Sequence, residues 1–267
     1  MKIQIQNTKR KAFYSLILYD SLTELTSKME NNSFNHLKYD LIVFGATGYT
    51  GKNVVQYVAR SAKEIGGIRW AISGRDESKL RTILSQVPEE LKNQDTGVIV
   101  CDVNDELSLQ EMANKGKIVL NCVGPYRFSG DAVVKACLAK NVHHIDVSGE
   151  PQYLETMQLR YHKEAKDRGV YIIGACGFDS VPSDVGASLV HKAMGGPVNT
   201  IETYLELGNT CVKKGAEVNF ATWQSAIYGF AHADELKVRE IWRLLKRERP
   251  MERVKSHAII LSILSRE

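Results

Sequence analysis

The stretch YDLIVFGATGYTGKNVV, residues 39–55, decides the fold. Leu41, Ile42, Val43 and Phe44 form an uninterrupted apolar run, the pattern of a strand buried on both faces. Gly45, Gly48 and Gly51 follow, and then Val54, Val55, Val58 and Ala59 recur at helical spacing. Strand, glycine turn and helix in that order aim the unsatisfied N–H groups of a helix start across the carboxyl edge of a sheet, where their partial positive charge favours phosphate. Glycine suits the turn because a side chain would hold a pyrophosphate away from the backbone. A nucleoside-triphosphate loop needs four residues between its glycines and then Lys-Ser/Thr; here five separate Gly45 from Gly51 and Lys52 precedes Asn53, so that reading fails on spacing. A glycine-rich turn that holds no ligand stays open on this motif alone.

Further along, IRWAIS (68–73), VIVCDV (98–103), KIVLNCV (117–123), HHIDVSG (143–149) and YIIGAC (171–176) read as strands. Helical patterns fill the gaps at 77–87, 106–115, 131–140 and 152–168. Strands alternating with helices of this length predict right-handed βαβ units and a parallel sheet covered on both sides. The expected fold class is α/β, a doubly wound Rossmann-type sheet over 38–195. A 1–37 extension precedes it and an incomplete α+β second domain, 196–267, follows.

In such sheets ligands lie beyond the carboxyl ends of the strands. After the second strand the first charged residue is Arg75, with Asp76 one step later. An acid there suits a free ribose 2′-hydroxyl and a cation suits a 2′-phosphate, so the order favours NADP(H) over NAD. The alternative makes Arg75 an exposed turn residue. Asp102, after the third strand, is placed to accept from an adenine amino group or else to cap the helix beginning near Glu106. After the fourth strand, Gly124 admits close backbone approach on the nicotinamide side, Pro125 stiffens the turn, and Tyr126 is expected to project a ring and hydroxyl towards the cleft or else to pack.

Composition narrows the class. The 267 residues are 43% apolar and carry 35 basic against 31 acidic side chains, a net charge of +4 too mild to argue for nucleic acid. Cys101, Cys122, Cys137, Cys176 and Cys211 are odd in number and form no CxxC pair, which suits buried thiols in a reducing, cytoplasmic compartment. His143 and His144 are adjacent in a strand and point to opposite faces, so no metal site is expected there. The longest late apolar run, AIILSIL at 258–264, is far short of the roughly 18–20 residues a membrane span requires. Lys2, Lys9, Arg10 and Lys11 are followed by Asp20, Glu24 and Glu30, which suits a mitochondrial transit peptide poorly; with Met29 as a simpler start, residues 1–28 read as an extension outside the core.

VLNCVGPYRFSGDAVVKAC, HHIDVSGEPQYLETMQLRYH and GVYIIGACGFDSVPSDVG are more specific, and with GATGYTG and SGR they closely resemble the saccharopine dehydrogenase-like oxidoreductases, over residues 38–235. That family is also similar to bacterial trans-acting enoyl reductases. The resemblance implies an NADP-binding Rossmann domain, a smaller α+β domain, and association with lipid droplets or membranes. It maps dinucleotide contacts onto Gly45, Thr47, Gly48, Tyr49, Thr50, Gly51, Arg75, Asp102, Gly124 and Tyr126. It does not imply saccharopine cleavage; the enoyl reductase relatives suggest lipid or glycolipid metabolism by analogy. Relatives continue beyond residue 267, and the text after about Pro250 departs from the family, so the chain reads as a truncated or alternatively spliced form or an imperfect gene model.

Reduction of a double bond needs a hydride and a nearby proton donor. The short-chain dehydrogenase pair is absent, because Tyr161 is followed at the required spacing by Ala165 and Lys166 comes one residue late. Tyr126, Glu150 and Asp179 are the candidates, each just after a strand at the ligand-facing edge. Glu150 could equally complement the dipole of the helix that Pro151 begins, and the Asp179-Ser180-Val181-Pro182 run could equally cap a helix. A non-catalytic NADP-binding protein at a lipid surface is the competing class. Residues 237–255 hold eight basic and three acidic residues around Ile241, Trp242, Leu244 and Leu245, a pattern that suits anionic lipid or a helix packed on its own domain. A homodimer through the second domain is a further expectation.

Overall fold

Ile42 and Phe44 turn to one side of their strand and Val43 to the other, and all three are buried, so the first strand must lie inside a sheet covered on both faces. The computed structural model describes residues 37–65, 67–91, 96–178, 180–196, 198–204, 219–237, 240–241 and 243–244. In it that strand, β1 (Tyr39–Phe44), is joined by β2 (Trp70–Gly74), β3 (Gly97–Val100), β4 (Gly116–Asn121), β5 (His143–Asp146) and β6 (Ile172–Ile173). All pairs are parallel and the order is β3-β2-β1-β4-β5-β6. The sequence direction therefore reverses between β1 and β4, the switch point at which open α/β sheets hold ligands.

Helices α1 (Tyr49–Ile65) and α2 (Glu77–Ser85) close one face, where Val55, Ala59, Leu80 and Ile83 pack on Val43, Trp70 and Ile72. On the other face α3 (Glu106–Ala113) and α4 (Tyr126–Ala139) set Leu109, Met112, Val133 and Cys137 against Ile42, Phe44 and Val119. Helix α5 (Pro151–Arg168) adds Tyr153, Met157 and Tyr161 against Val134 and Leu138. Each large side chain buried in these layers contributes about 1.5–3 kcal/mol before chain entropy is set against it. At the amino edge of the sheet Asp40 holds three strands together: its carboxylate accepts from the Arg69 N–H and guanidinium and pairs with Lys117 at 2.8 Å.

The observed elements correct several expected bounds. Helix α4 begins at Tyr126, five residues before the expected 131, and β6 is only two residues long. Beyond α6 (Val181–Met194) the described residues include α7 (Phe220–Ala231) and a 3₁₀ turn, Ala233–Glu235; neither α6 nor α7 has a buried residue. Residues 201–204 carry no regular structure. The extension expected at 1–28, most of the basic 237–255 run, Cys211 and Asp179 lie outside the described residues. Among the described residues no helix is long and apolar enough to cross a membrane, and Cys101, Cys122, Cys137 and Cys176 are free thiols. Burial pushes the Cys101 and Cys122 thiols up to about 11 and about 12, which suits packing rather than reactivity.

Candidate cofactor site

Three glycines shape the turn between β1 and α1, each for its own reason. Gly45 takes a left-handed φ of +84°, and a Cβ there would stand 2.8 Å from Val123 Cγ2 and 3.0 Å from the Cys122 backbone, so the turns after β1 and β4 touch at this point. Gly51 lies under the turn, where a Cβ would meet the Gly45 carbonyl oxygen at 2.1 Å. Gly48 differs: within 4 Å its Cβ would meet only the Gly45 oxygen, at 3.3 Å, and the residue is exposed with Tyr49 and Thr50. Two glycines thus close the turn inward and the third leaves it open outward. The first N–H groups of α1 have no partner within the helix, and its first turn holds no acid to compete with an anion.

The end of β2 sorts the two charges that follow it. Asp76 is the N-cap of α2: its carboxylate accepts from Lys79 N–H at 3.0 Å and pairs with Lys79 Nζ at 3.3 Å, and these contacts hold the acid below its ordinary range. Arg75 is exposed, and no hydrogen bond or ion pair engages its guanidinium among the described residues. Thr47 stands nearby, its Oγ1 3.9 Å from where a Gly74 Cβ would be. The edge therefore offers an exposed cation, unpartnered among the described residues, and an acid already committed.

Asp102 does not take the helix-cap role. Its Oδ1 accepts from the Asn104 N–H at 3.0 Å and from the Asn104 amide at 3.2 Å, forming an Asx turn, while the cap of α3 is Asp105, which accepts from Leu107 and Ser108.

After β4, Gly124 is exposed beside the switch point and joins Pro125 through a cis peptide bond. Tyr126 corrects the expectation that its hydroxyl reaches into the cleft. The side chain is 7% exposed, the hydroxyl donates to the Asn121 carbonyl at 3.0 Å, and burial pushes the phenol far above its ordinary value. Glu150 is likewise turned inward, at 4% exposure. It stands at the N-cap position of α5, but its side chain does not cap that helix; instead Oε1 accepts from Tyr126 N–H at 2.8 Å and Oε2 from Arg127 N–H at 2.9 Å, so it caps α4. This pairing spans 24 residues, which is why periodicity placed the start of α4 too late.

Asp146, in the DVSGE run, is a buried acid that periodicity and motif spacing do not single out. Buried at the end of β5, Asp146 accepts from Ser148 N–H, Ala175 N–H and Tyr153 hydroxyl at 2.9, 3.2 and 3.0 Å, and burial raises its carboxyl above the ordinary range. The signal lies in an acid at the end of a strand inside a sheet covered on both faces, where only a hydrogen-bonded carboxyl is tolerated.

Residues 41–173 match the family described as the saccharopine dehydrogenase NADP binding domain. The chain is 42% identical over 214 residues to the saccharopine dehydrogenase-like oxidoreductase of Homo sapiens, an overlap covering 77% of this chain and 49% of that protein. It is 41% identical over 198 residues to a lipid droplet localized protein of Caenorhabditis elegans, 73% of this chain and 46% of that one. A Mycobacterium tuberculosis protein named as a trans-acting enoyl reductase is 35% identical over 156 residues, 58% of this chain and 36% of that one. The chain spans about half the length of the human and nematode relatives.

Proposed function

Residues 41–173 belong to the saccharopine dehydrogenase NADP-binding domain family, and from that premise we propose that the protein is an NADPH-dependent reductase acting on a lipid-like small molecule. The observation that carries the cofactor half is the division of labour after β2, with Asp76 spent on a helix cap and Arg75 exposed beside an outward-open glycine turn. Arg75 would hold the 2′-phosphate, the turn from Gly45 through Thr47, Gly48, Tyr49 and Thr50 to Gly51 the pyrophosphate, and Gly124 the nicotinamide side. Asp102 retains an adenine role only through what its Asx turn leaves available. NADPH, when bound, supplies the hydride.

Tyr126 and Glu150 spend their polar atoms on Asn121, Tyr126 and Arg127, so we assign them to shaping the turn after β4. Asp179 is then the candidate still open to proton transfer. The lipid-like substrate, in lipid or glycolipid metabolism, is supported by the enoyl reductase and lipid droplet names of two relatives. Spectrophotometric NADPH oxidation by the purified chain with α,β-unsaturated acyl thioesters tests the reading. Consumption that depends on acyl substrate supports it, and binding of NADPH without turnover across acyl classes favours the second reading.

That second reading is a non-catalytic NADP-binding protein in the cytoplasm that contacts a lipid droplet or membrane surface. It is favoured by α7, where Phe220, Trp223, Ile227 and Phe230 recur at helical spacing and are all exposed. The same face suits a homodimer; sedimentation of the chain alone separates self-association from flotation on lipid vesicles.

A further inference from the structure

Helix α7 is attached to the Rossmann body by its polar side. Ser225, Tyr228, Gly229 and His232 face inward, while the apolar stripe on the opposite side stays exposed. Gln152, at the start of α5, donates to the carbonyls of Gly229 and His232 at 2.9 and 3.1 Å. Arg127, at the start of α4, donates to the Tyr228 carbonyl at 3.2 Å and to Glu235 at 2.8 Å. Phe128 meets Tyr228 edge-on at 5.3 Å.

Glu150 lies at the centre of these contacts. Its Oε1 accepts at once from the Tyr126 N–H and, at 2.9 Å, from the Ser225 hydroxyl of α7. Its own N–H donates to Ser148 Oγ at 3.1 Å, which fixes the carboxylate relative to β5. One buried residue therefore joins three things: through its backbone the turn after β5, and through its carboxylate the first turn of α4 and α7. The first turn of α4 is continuous with the 122–125 turn, which touches the Gly45 turn through Val123.

We propose that Glu150 is a positioning residue through which the seating of α7 sets the turn after β4 and hence the nicotinamide end of the cofactor cleft. This rests on the reading that NADPH lies across the β1–β4 switch point. The adenine and 2′-phosphate end, at β2, shares none of these contacts.

The test compares NADPH with 2′,5′-ADP, which carries the 2′-phosphate but no nicotinamide, on the full chain and on Glu150→Gln, Ser225→Ala and Ser225→Thr. Amide exchange at Tyr126 and Arg127 is followed in parallel. Glu150→Gln should raise exchange at both amides and weaken NADPH about tenfold, leaving 2′,5′-ADP unchanged. Ser225→Ala should act in the same direction by about threefold, and Ser225→Thr, which keeps the hydroxyl, should restore both readouts. Equal losses for the two ligands in Glu150→Gln would reduce Glu150 to a support of the fold and overturn the proposal. Unchanged amide protection in Ser225→Ala would overturn the coupling to α7. Failure of 2′,5′-ADP to bind the unaltered chain would refute the cofactor reading itself, and the exchange data would still decide the coupling.

Discussion

Arg75 and Asp76 are neighbours in sequence, yet one is exposed and the other caps α2, and on the proposed reading cofactor choice follows from that division. A guanidinium facing a 2′-phosphate makes a charge-assisted hydrogen bond of roughly 1.5–3 kcal/mol, so Arg75→Ala should weaken NADPH about ten- to a hundredfold and leave NADH nearly unchanged. Arg75→Asp should go further and move preference towards NADH. Because Asp76 is tied to Lys79 at the start of α2, Asp76→Ala should lower the thermal midpoint without changing that preference. Equal losses of both cofactors in Arg75→Ala would return that residue to a plain turn. Gly51→Ala is the steric counterpart: its methyl would meet the backbone oxygen of Gly45, which cannot rotate away. The expected cost exceeds the ~1–3 kcal/mol of an ordinary overpacked core site, measured as a lower denaturation midpoint together with lost NADPH affinity.

At the scale of elements, β5 and β1 each carry a group that makes stability depend on pH, in separate windows. His144 on β5 is wholly buried, and burial holds its imidazole down to about 4. The unfolded chain takes up this proton near pH 6.5 and the folded one resists to about 4, so the contribution is whole above about 6.5 and is lost as pH falls through about 4. The thermal midpoint should therefore decline across that interval, and His144→Leu should flatten the decline. Asp146, whose Oδ2 lies 3.9 Å from His144 Nδ1, opposes it, because burial raises its carboxyl and protonation favours the folded state. Asp40 on β1 acts lower: partial burial pulls its carboxyl up, but Arg69 and Lys117 prevail and hold it at about 2. Its contribution is present above the ordinary carboxylate range and fades as pH drops through about 2, a step that Asp40→Asn should remove.

The whole molecule was legible in sequence to the extent that its determinants are local. The apolar runs from Leu41 to Phe44 and from Ile118 to Leu120, and the glycine turn between β1 and α1, carry their own periodicity and steric demands, so the parallel sheet could be read directly. The start of α4 could not, because its donors are satisfied by Glu150 from the turn after the neighbouring strand β5, 24 residues on, nor could the inward course of Tyr126, which depends on the Asn121 carbonyl and the Tyr153 ring. Asp102 fails as a cap for a local reason: it closes an Asx turn on Asn104, and Asp105, nearer the helix, caps it instead. Helix α7 reverses the usual pattern, with polar groups inward and Phe220, Trp223, Ile227 and Phe230 outward, and a periodicity reading cannot tell which side meets the protein. We read the β1–β4 reversal as the dinucleotide cleft, its β2 edge presenting an exposed cation and an acid committed to a helix cap. Equilibrium titration of the unaltered chain with NADPH and with NADH tests that claim most directly: the account predicts NADPH binding at least about tenfold tighter, and equal affinities or a preference for NADH would contradict it.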